Sequence, residues 1–228
     1  MSATDWQALW LTIRLALITT TLLLVIATPL AWWLSRSRSF ATAPVSVLVA
    51  LPLVLPPTVI GFYLLLLLSP RGFIGELTAQ LGMGSLVFTF TGLVIGSLVY
   101  SLPFVVQPLR TGFAAIETRT LEQAALAGAS AWDRFFTVAL PLNRHGYVSA
   151  AVLGFAHTLG EFGIVLMIGG NIPGQTALAS VQIYQHVETL QYANAHRLSL
   201  VLVAIAIVTL SFAYALTMRA STTKTGHV

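Results

Sequence analysis

Charged residues are scarce in this sequence, and cysteine is absent. Of its 228 residues, 57% are apolar and only 8% are charged, whereas soluble domains carry about 25% charged residues. This small number of charged residues cannot cover a water-facing surface. The composition therefore excludes an ordinary soluble enzyme and favours a polytopic membrane protein. The lack of cysteine excludes disulfides, thiolate metal sites and cysteine nucleophiles.

Lysine is almost absent as well. The one lysine, Lys224, follows Thr223 near the C-terminus. A phosphate-binding loop of the GxxxxGK[ST] type needs a lysine directly after a glycine. The chain therefore has no ATP site of that kind, and it lacks the HExxH and GxSxG motifs of common hydrolases. No metal or cofactor site is predicted.

Long apolar stretches predict an all-α protein with five membrane-spanning helices. A helix crosses the hydrocarbon layer in about 20 apolar residues. The predicted spans cover residues 9–35, 44–69, 86–109, 147–168 and 198–218, within a single transmembrane domain over 1–228. The first stretch exceeds a signal-peptide core of about 7–15 residues, so we expect it to be retained.

The basic residues predict the orientation of these spans. With the N-terminus outside, eight of them fall on the inner side: Arg36, Arg38, Arg110, Arg119, Arg134, Arg144, Arg219 and Lys224. Only Arg14, Arg71 and Arg197 fall on the outer side. The positive-inside rule thus favours an external N-terminus and a cytoplasmic C-terminus. Because the arginines are scattered among the membrane anchors, nucleic acid is not an expected partner.

The polar segment 171–196 lies on the outer side in this topology. It has a partial helical stripe of apolar residues and predicts an interfacial or re-entrant helix. A sixth span is less favoured because it would place His186 and Glu188 in lipid.

The inner loop, residues 110–146, contains an amphipathic helical pattern that ends at Pro141. Its apolar face is formed by Leu121, Ala125, Gly128, Trp132, Phe135 or Phe136, and Ala139. Gly128 in the middle favours a bend or the close approach of another backbone. Amphipathicity alone also fits a helix that lies on the bilayer surface.

The spacing within this loop is more specific. The pattern Glu122-x-Ala124-x3-Gly128-x9-Val138-x-Leu140-Pro141 resembles the EAA loop of ABC-transporter import permeases, with Gln123 in place of the family's first alanine. The resemblance implies the fold of type I ABC importer permeases. It also implies that these six residues belong to a coupling helix that docks into a groove on a separate ATP-hydrolysing subunit.

Four further stretches narrow the resemblance: residues 51–61, 71–75, 159–163 and 170–176. Together they resemble the permease subunits of molybdate importers over essentially the whole chain; tungstate and sulfate permeases share the fold and the loop. The resemblance implies a homodimer in the inner membrane, two ATP-binding subunits on the cytoplasmic side and a soluble oxyanion-binding protein on the outer side.

Prolines and a single carboxylate interrupt the spans. We expect Pro56, Pro57, Gly160, Glu161 and Gly163 to border the translocation path or its gate, since broken helices occur where backbone lines a cavity. The alternative for the prolines is a simple packing kink. As a carboxylate, Glu161 would repel an anion, which favours a structural or gating role.

Two other classes of protein remain open. His157 precedes Glu161 by one helical turn, so the two side chains can hydrogen-bond, and a proton-coupled secondary transporter could use them as a relay. Such transporters are built from internal repeats, and none is found. A scaffold subunit without a transport path would leave the EAA spacing as coincidence.

Overall fold

The computed structural model describes residues 1–82 and 84–222, so the inner-side assignment of Lys224 lies outside the described residues. The described chain is helical and contains no strand, which confirms the predicted all-α class. Its helices are α1 (Ala3–Arg36), α2 (Thr42–Ala50), α3 (Pro57–Leu68), α4 (Phe73–Gln80), α5 (Phe90–Ala114), α6 (Thr118–Leu126), α7 (Ala131–Asp133), α8 (Leu140–Leu142), α9 (Arg144–Leu159), α10 (Gly163–Gly169), α11 (Ala179–Glu188) and α12 (Tyr192–Thr222). A 3₁₀ turn spans Leu51–Leu53, and a π-helix spans Arg134–Ala139.

The centre of the bundle is formed by α1, α5 and α9, which pack against one another. Leu23, Val105 and Phe113 are fully or almost fully buried there. Gly154 on α9 allows α5 to come close, because a Cβ at this position would lie 2.7 Å from Cγ2 of Val105. The inner loop therefore connects α5 and α9, two helices of this closely packed centre.

The first span extends further than predicted. Helix α1 covers Ala3–Arg36 rather than 9–35, and its 34 residues are about 50 Å long at 1.5 Å per residue. Ser2 and Asp5 form a capping box at its start, which satisfies free backbone N–H groups at the first turn. Because α1 is continuous, Asp5 and Arg36 mark opposite ends of the bundle.

The second predicted span, 44–69, is not one continuous helix. Helix α2 ends at Ala50, the 3₁₀ turn follows, and α3 begins only at Pro57. Prolines lack the N–H that would continue the helical ladder, and Pro52, Pro56 and Pro57 lie within this interval. In this part of the chain, the helical stretch that is long and apolar enough to cross a membrane is Pro57–Gln80, which joins α3 and α4.

The fourth predicted span, 147–168, is bent. Helices α9 and α10 meet at an angle of 60°, with the break between Leu159 and Gly163. Four other helices are long and apolar enough to cross a membrane, and this bent pair makes five if it counts as one span. Length and composition of the described helices therefore agree with the predicted number.

The third and fifth spans shift at their ends. Helix α5 covers Phe90–Ala114 rather than 86–109, and α12 covers Tyr192–Thr222 rather than 198–218. Within the predicted segment 171–196, α11 has only ten residues, about 15 Å at 1.5 Å per residue, which is too short to cross the bilayer. It packs against α1 and α12.

Candidate functional site

A cavity of about 530 Å³ lies where α3, α5 and the bent pair α9–α10 meet. Four of the five predicted path residues line it: Pro57, Gly160, Glu161 and Gly163. The fifth, Pro56, is exposed and precedes α3 as its N-cap. The structure thus brings together residues about 100 positions apart in the sequence, and the proline break borders the same space as the bend in the fourth span.

Glycines allow the walls of this cavity to approach each other. A Cβ on Gly163 would lie 3.0 Å from Cβ of Pro57, and a Cβ on Gly61 would lie 3.0 Å from Cβ of Met167. These distances are shorter than the ordinary carbon contact of 3.4–4 Å, so a side chain at either glycine would force its neighbour to shift. Small residues at such positions permit close helix packing within a membrane, so α3 lies directly against α10.

Glu161 is the carboxyl group of this site, and it is only 3% exposed. Its Oε2 accepts a hydrogen bond of 2.8 Å from Ser97 Oγ on α5, while its Oε1 has no partner among the described residues. Ser180 on α11 donates to the Glu161 backbone carbonyl. Two serines from different helices therefore hold the bend in place.

His157 does not pair with Glu161, contrary to the one-turn spacing in the sequence. Helix α9 ends at Leu159, so the two side chains are not on one continuous helix. His157 Nδ1 instead lies 2.9 Å from Ser101 Oγ, and its ring stacks on Phe104 at a centroid distance of 3.7 Å. Each polar group is held separately by α5, which gives no direct path for a proton relay between them.

Several residues of this site were missed by sequence reasoning. Ser97 and Ser101 supply the polar partners, and Thr58 and Tyr100 line the cavity. The two serines are four residues apart in an apolar span, a spacing that places both on one helix face. That spacing was visible in the sequence. The positions of Thr58 and Tyr100 depend on how α3 packs against α5, which no local pattern records.

The inner loop forms two helical pieces joined by a sharp turn. Helix α6 ends at Leu126, and Gly128 adopts φ +90° before α7 starts at Ala131. This region of backbone conformation favours glycine. The predicted bend at Gly128 is present, but the apolar pattern does not form one continuous helix face.

The six residues of the EAA-like pattern fall into an exposed group and an anchored group. Glu122, Gly128 and Pro141 are exposed, whereas Ala124, Val138 and Leu140 are partly buried. Near the exposed group, Leu126 is 89% exposed and Trp132 is 73% exposed. Exposed apolar side chains of this size are typical of a surface that another protein or a membrane covers.

A polar cap begins the second piece of the loop. Ser130 Oγ donates to Asp133 Oδ2 at 2.6 Å and accepts from the Asp133 N–H. The hydrogen bonds from the Ser130 side chain, and then from its backbone N–H, hold the pKa of Asp133 below its ordinary value. The carboxylate is therefore ionised at neutral pH, and the cap that starts α7 stays intact.

Both ends of the inner loop are tied to the spans. Arg36 Nη2 donates to the backbone carbonyls of Phe113 and Ile116 at 2.8 and 2.7 Å, where a cation also complements the C-terminal end of α5. At the other end, Asn143 Nδ2 donates to the Leu109 carbonyl at 3.0 Å. These bonds connect the loop to α1 at one end and to α5 at the other.

The opposite end of the bundle has its own polar ties. Asp5 on α1 and His186 on α11 form a buried pair with 2.8 Å between Oδ1 and Nε2. The backbone N–H of Ala179 donates to Thr12 Oγ1 at 2.8 Å. Together these contacts fix the short α11 against the start of α1, although nothing in the sequence indicated that Asp5 and His186 would meet.

The fold and this arrangement define a class of transport protein. The chain matches the family model described as "Binding-protein-dependent transport system inner membrane component" over residues 24–225. It therefore belongs to this family of inner-membrane components of binding-protein-dependent transport systems, which confirms the family predicted from the EAA-like loop.

Relatives with assigned names are found within the family. The molybdenum transport system permease protein ModB of Azotobacter vinelandii is 58% identical over 199 residues, covering 87% of this chain and 88% of that protein. The ModB protein of Escherichia coli K12 is 33% identical over 207 residues and covers 90% of each chain. A probable sulfate transport system permease of Chlorella vulgaris is 35% identical over 79% of this chain and 68% of that protein.

Solved structures share the fold at low sequence identity. A bacterial ABC transporter involved in alginate import aligns with a TM-score of 0.79 and 18% identity, covering 96% of this chain and 80% of that one. The MetNI methionine ABC transporter aligns with a TM-score of 0.69 and 17% identity, over 96% and 99% of the two chains. These likenesses establish the fold of an ABC transporter membrane subunit.

Proposed function

We propose that this chain is the permease subunit of an ATP-driven importer that carries molybdate across the inner membrane into the cell. One observation carries the proposal: the chain is 58% identical, over most of both lengths, to a protein named as a molybdenum transport permease. The fold of an ABC transporter membrane subunit and the EAA-like loop agree with this function.

The active assembly is a homodimer of the chain with two ATP-binding subunits. Each ATP-binding subunit docks onto residues 118–140 of one permease chain and hydrolyses the ATP, since the permease has no phosphate-binding loop. The exposure of Leu126 and Trp132 supports such a docking surface. The two ties through Arg36 and Asn143 provide the mechanical connection from that surface to the spans.

A soluble oxyanion-binding protein delivers the substrate on the outer side. Its docking surface comprises residues 71–80, which include α4, and residues 171–196, which include α11. The N-terminus lies on this side and the C-terminus in the cytoplasm, in agreement with the distribution of basic residues. Thr12 and Asp5 hold α11 against α1, so the delivery surface has a defined shape.

ATP binding closes the two ATP-binding subunits and draws the two inner loops together. The spans then tilt from an inward-facing to an outward-facing arrangement, and hydrolysis resets them. Pro56, Pro57, Gly160, Glu161 and Gly163 border the path or its gate in this proposal. The break between α9 and α10 is a suitable hinge, because it has no continuous helical ladder that would resist bending.

Transport of another tetrahedral oxyanion is the second candidate, favoured by the sulfate permease relative. Sulfate, tungstate and molybdate share their charge and shape, so the sequence does not distinguish them as substrates. Competition between these anions for uptake distinguishes a molybdate importer from an importer of another oxyanion. The complex is purified with its ATP-binding subunits, reconstituted in vesicles with its binding protein, and supplied with labelled molybdate. We expect ATP-dependent uptake that excess unlabelled molybdate suppresses and equimolar sulfate leaves unchanged.

Two results would count against this proposal. Uptake driven by a proton gradient without ATP would favour a proton-coupled secondary transporter. If sulfate suppressed the uptake of labelled molybdate as strongly as the same concentration of unlabelled molybdate does, the result would favour a general oxyanion importer. Competition by tungstate measures how far the system distinguishes two anions of nearly the same size.

A further inference from the structure

Helix α11 reaches from the end of the bundle at Asp5 to the bend in the fourth span. Near its C-terminus, His186 pairs with Asp5 at the start of α1. In its first turn, Ser180 donates to the backbone carbonyl of Glu161 at 2.5 Å. Helix α11 therefore connects the proposed delivery surface to the residues that border the cavity.

One face of α11 contacts two consecutive residues of the bend. Ser180 and Tyr184 are four residues apart, a spacing that places both side chains on the same face of a helix. Ser180 contacts Glu161, and the ring of Tyr184 lies against the ring of Phe162, with 5.2 Å between the ring centroids. Phe162 also lines the cavity between α3, α5 and the bent pair α9–α10. The Phe162 side chain is thus shared between the cavity wall and α11.

Tyr184 is also open to the surroundings of the protein. It is 46% exposed, and its hydroxyl group donates to Glu188 Oε1 at 2.7 Å. Glu188 and the neighbouring Gln185 are exposed as well. An exposed carboxylate is costly in lipid, so this face of α11 belongs in water. Tyrosine is enriched at protein interfaces because it combines an apolar ring with a polar end.

The backbone just before Phe162 is weakly hydrogen-bonded. The Gly160 N–H donates to the Ala156 carbonyl at 3.3 Å. The Glu161 N–H donates to the Thr158 carbonyl at 3.4 Å. Both distances exceed the ordinary range of about 2.7–3.2 Å for N–H···O bonds. A side-chain contact at Phe162 can therefore influence the angle between α9 and α10.

From these contacts we infer that Tyr184 is a positioning residue, through which a binding protein docked on α11 acts on Phe162 and thereby on the angle between α9 and α10. The inference rests on the proposed function, and a binding protein is the partner named in the description of the family. The ties of α11 to α1 and to Glu161 hold the helix in place, so the contact between the two rings has a defined position. Docking and the shape of the cavity wall are then linked through one side chain.

The test measures ATP hydrolysis by the permease with its ATP-binding subunits in lipid nanodiscs, titrated with molybdate-loaded binding protein. The concentration of binding protein at half-maximal stimulation reports docking, and the maximal rate reports how docking is transmitted. We expect Tyr184→Ala to lower the maximal rate by about two- to tenfold, the effect of losing one aromatic pair. Tyr184→Phe keeps the ring, so its maximal rate should exceed that of the alanine variant by a similar factor.

Gln185 provides the matched control for docking alone. It is exposed beside Tyr184, but its side chain accepts a hydrogen bond from Asn171. We therefore expect Gln185→Ala to act on the half-maximal concentration. A double variant then asks whether Tyr184 acts through Phe162. In a Phe162→Leu background the ring contact is already lost, so adding Tyr184→Ala should lower the maximal rate little further.

Three outcomes would overturn the inference. The first is a Tyr184→Ala variant that changes only the half-maximal concentration, as Gln185→Ala does. The second is an equal maximal rate in Tyr184→Phe and Tyr184→Ala, and the third is a full additional loss when Tyr184→Ala is combined with Phe162→Leu. If Tyr184→Ala does not assemble, Tyr184→Leu, which keeps an apolar side chain without the ring, enters the same titration with the same expectation. A wild-type complex that transports no oxyanion would instead contradict the proposed function, a result distinct from all of these.

Discussion

Backbone conformation at Gly128 defines the shape of the inner loop at the scale of single residues. Its φ of +90° turns the chain between α6 and α7 and leaves Leu126 and Trp132 exposed. A Cβ at this position would meet nothing within 4 Å, so any effect of a substitution comes from backbone strain and not from a clash within the chain. A substitution at Gly128 therefore tests the backbone conformation of the inner loop without a steric clash inside the chain.

We predict that Gly128→Val weakens the docking of the ATP-binding subunit without unfolding the permease. A β-branched residue is a genuine outlier at positive φ, and such a conformation costs about 1–2 kcal/mol. That cost corresponds to a decrease of about 5- to 30-fold in the population of the observed loop. The measurement is the amount of ATP-binding subunit retained when the tagged permease is purified, together with molybdate uptake.

A matched control for Gly128 lies beside it. Ala127 is also exposed but has an ordinary φ of −75°, so Ala127→Ser should leave both docking and uptake unchanged. If Gly128→Val retains as much ATP-binding subunit as Ala127→Ser, the turn at Gly128 is not required for docking.

At the scale of elements, sequence patterns predicted the helices better than their interruptions. The number of apolar stretches and the bend at Gly128 were readable, because hydropathy and glycine are local signals. The prolines inside the second apolar run indicated a broken helix, but the extent of the break, from Ala50 to Pro57, could not be read from them. The packing of α3 against α10 through Gly61 and Gly163 joins residues about 100 positions apart. The separation of His157 from Glu161 arises in the same way, since α9 stops where Ser97 and Ser180 hold the bend.

The tie between the inner loop and the spans gives a prediction at this scale. Asn143 is 1% exposed and donates to the Leu109 carbonyl, and its side chain fills the space left by Gly112 and Gly146. Replacing it with alanine removes a buried hydrogen bond and leaves an unfilled space beside Gly112 and Gly146, at a cost of about 1–3 kcal/mol. We expect Asn143→Ala to lower the Tm of the purified permease by about 2–10 °C and to reduce uptake per ATP hydrolysed.

Asn194 provides the comparison for this experiment. Its side chain donates to the exposed Gln191 Oε1, a contact that water can replace, so Asn194→Ala should leave Tm and coupling unchanged. Equal effects of the two alanine substitutions would mean that the bond between Asn143 and Leu109 does not connect the loop to the spans.

At the scale of the whole molecule, the two ends of the bundle differ in both charge and chemistry. The end at Arg36 holds most of the described basic residues and the exposed inner loop, whereas the end at Asp5 holds the buried pair with His186 and the short α11. The positive-inside rule converts this difference into an orientation. Family membership could be predicted from the loop spacing, but no sequence pattern identified which polar groups meet in the cavity, because those contacts join residues up to about 100 positions apart.

The orientation can be measured directly because the native chain has no cysteine. Phe40, 92% exposed between α1 and α2, belongs to the proposed cytoplasmic side, and the exposed Thr189 after α11 belongs to the outer side. We predict that a membrane-impermeant maleimide labels the Thr189→Cys variant in intact spheroplasts, and labels the Phe40→Cys variant only after the membrane is permeabilised. The cysteine-free parent chain gives the background signal. The reverse labelling pattern would invert the proposed topology and would leave the inner loop on the wrong side to reach an ATP-binding subunit. Labelling of both variants in intact spheroplasts would place residues 37–41 outside and would remove one crossing from the proposed five.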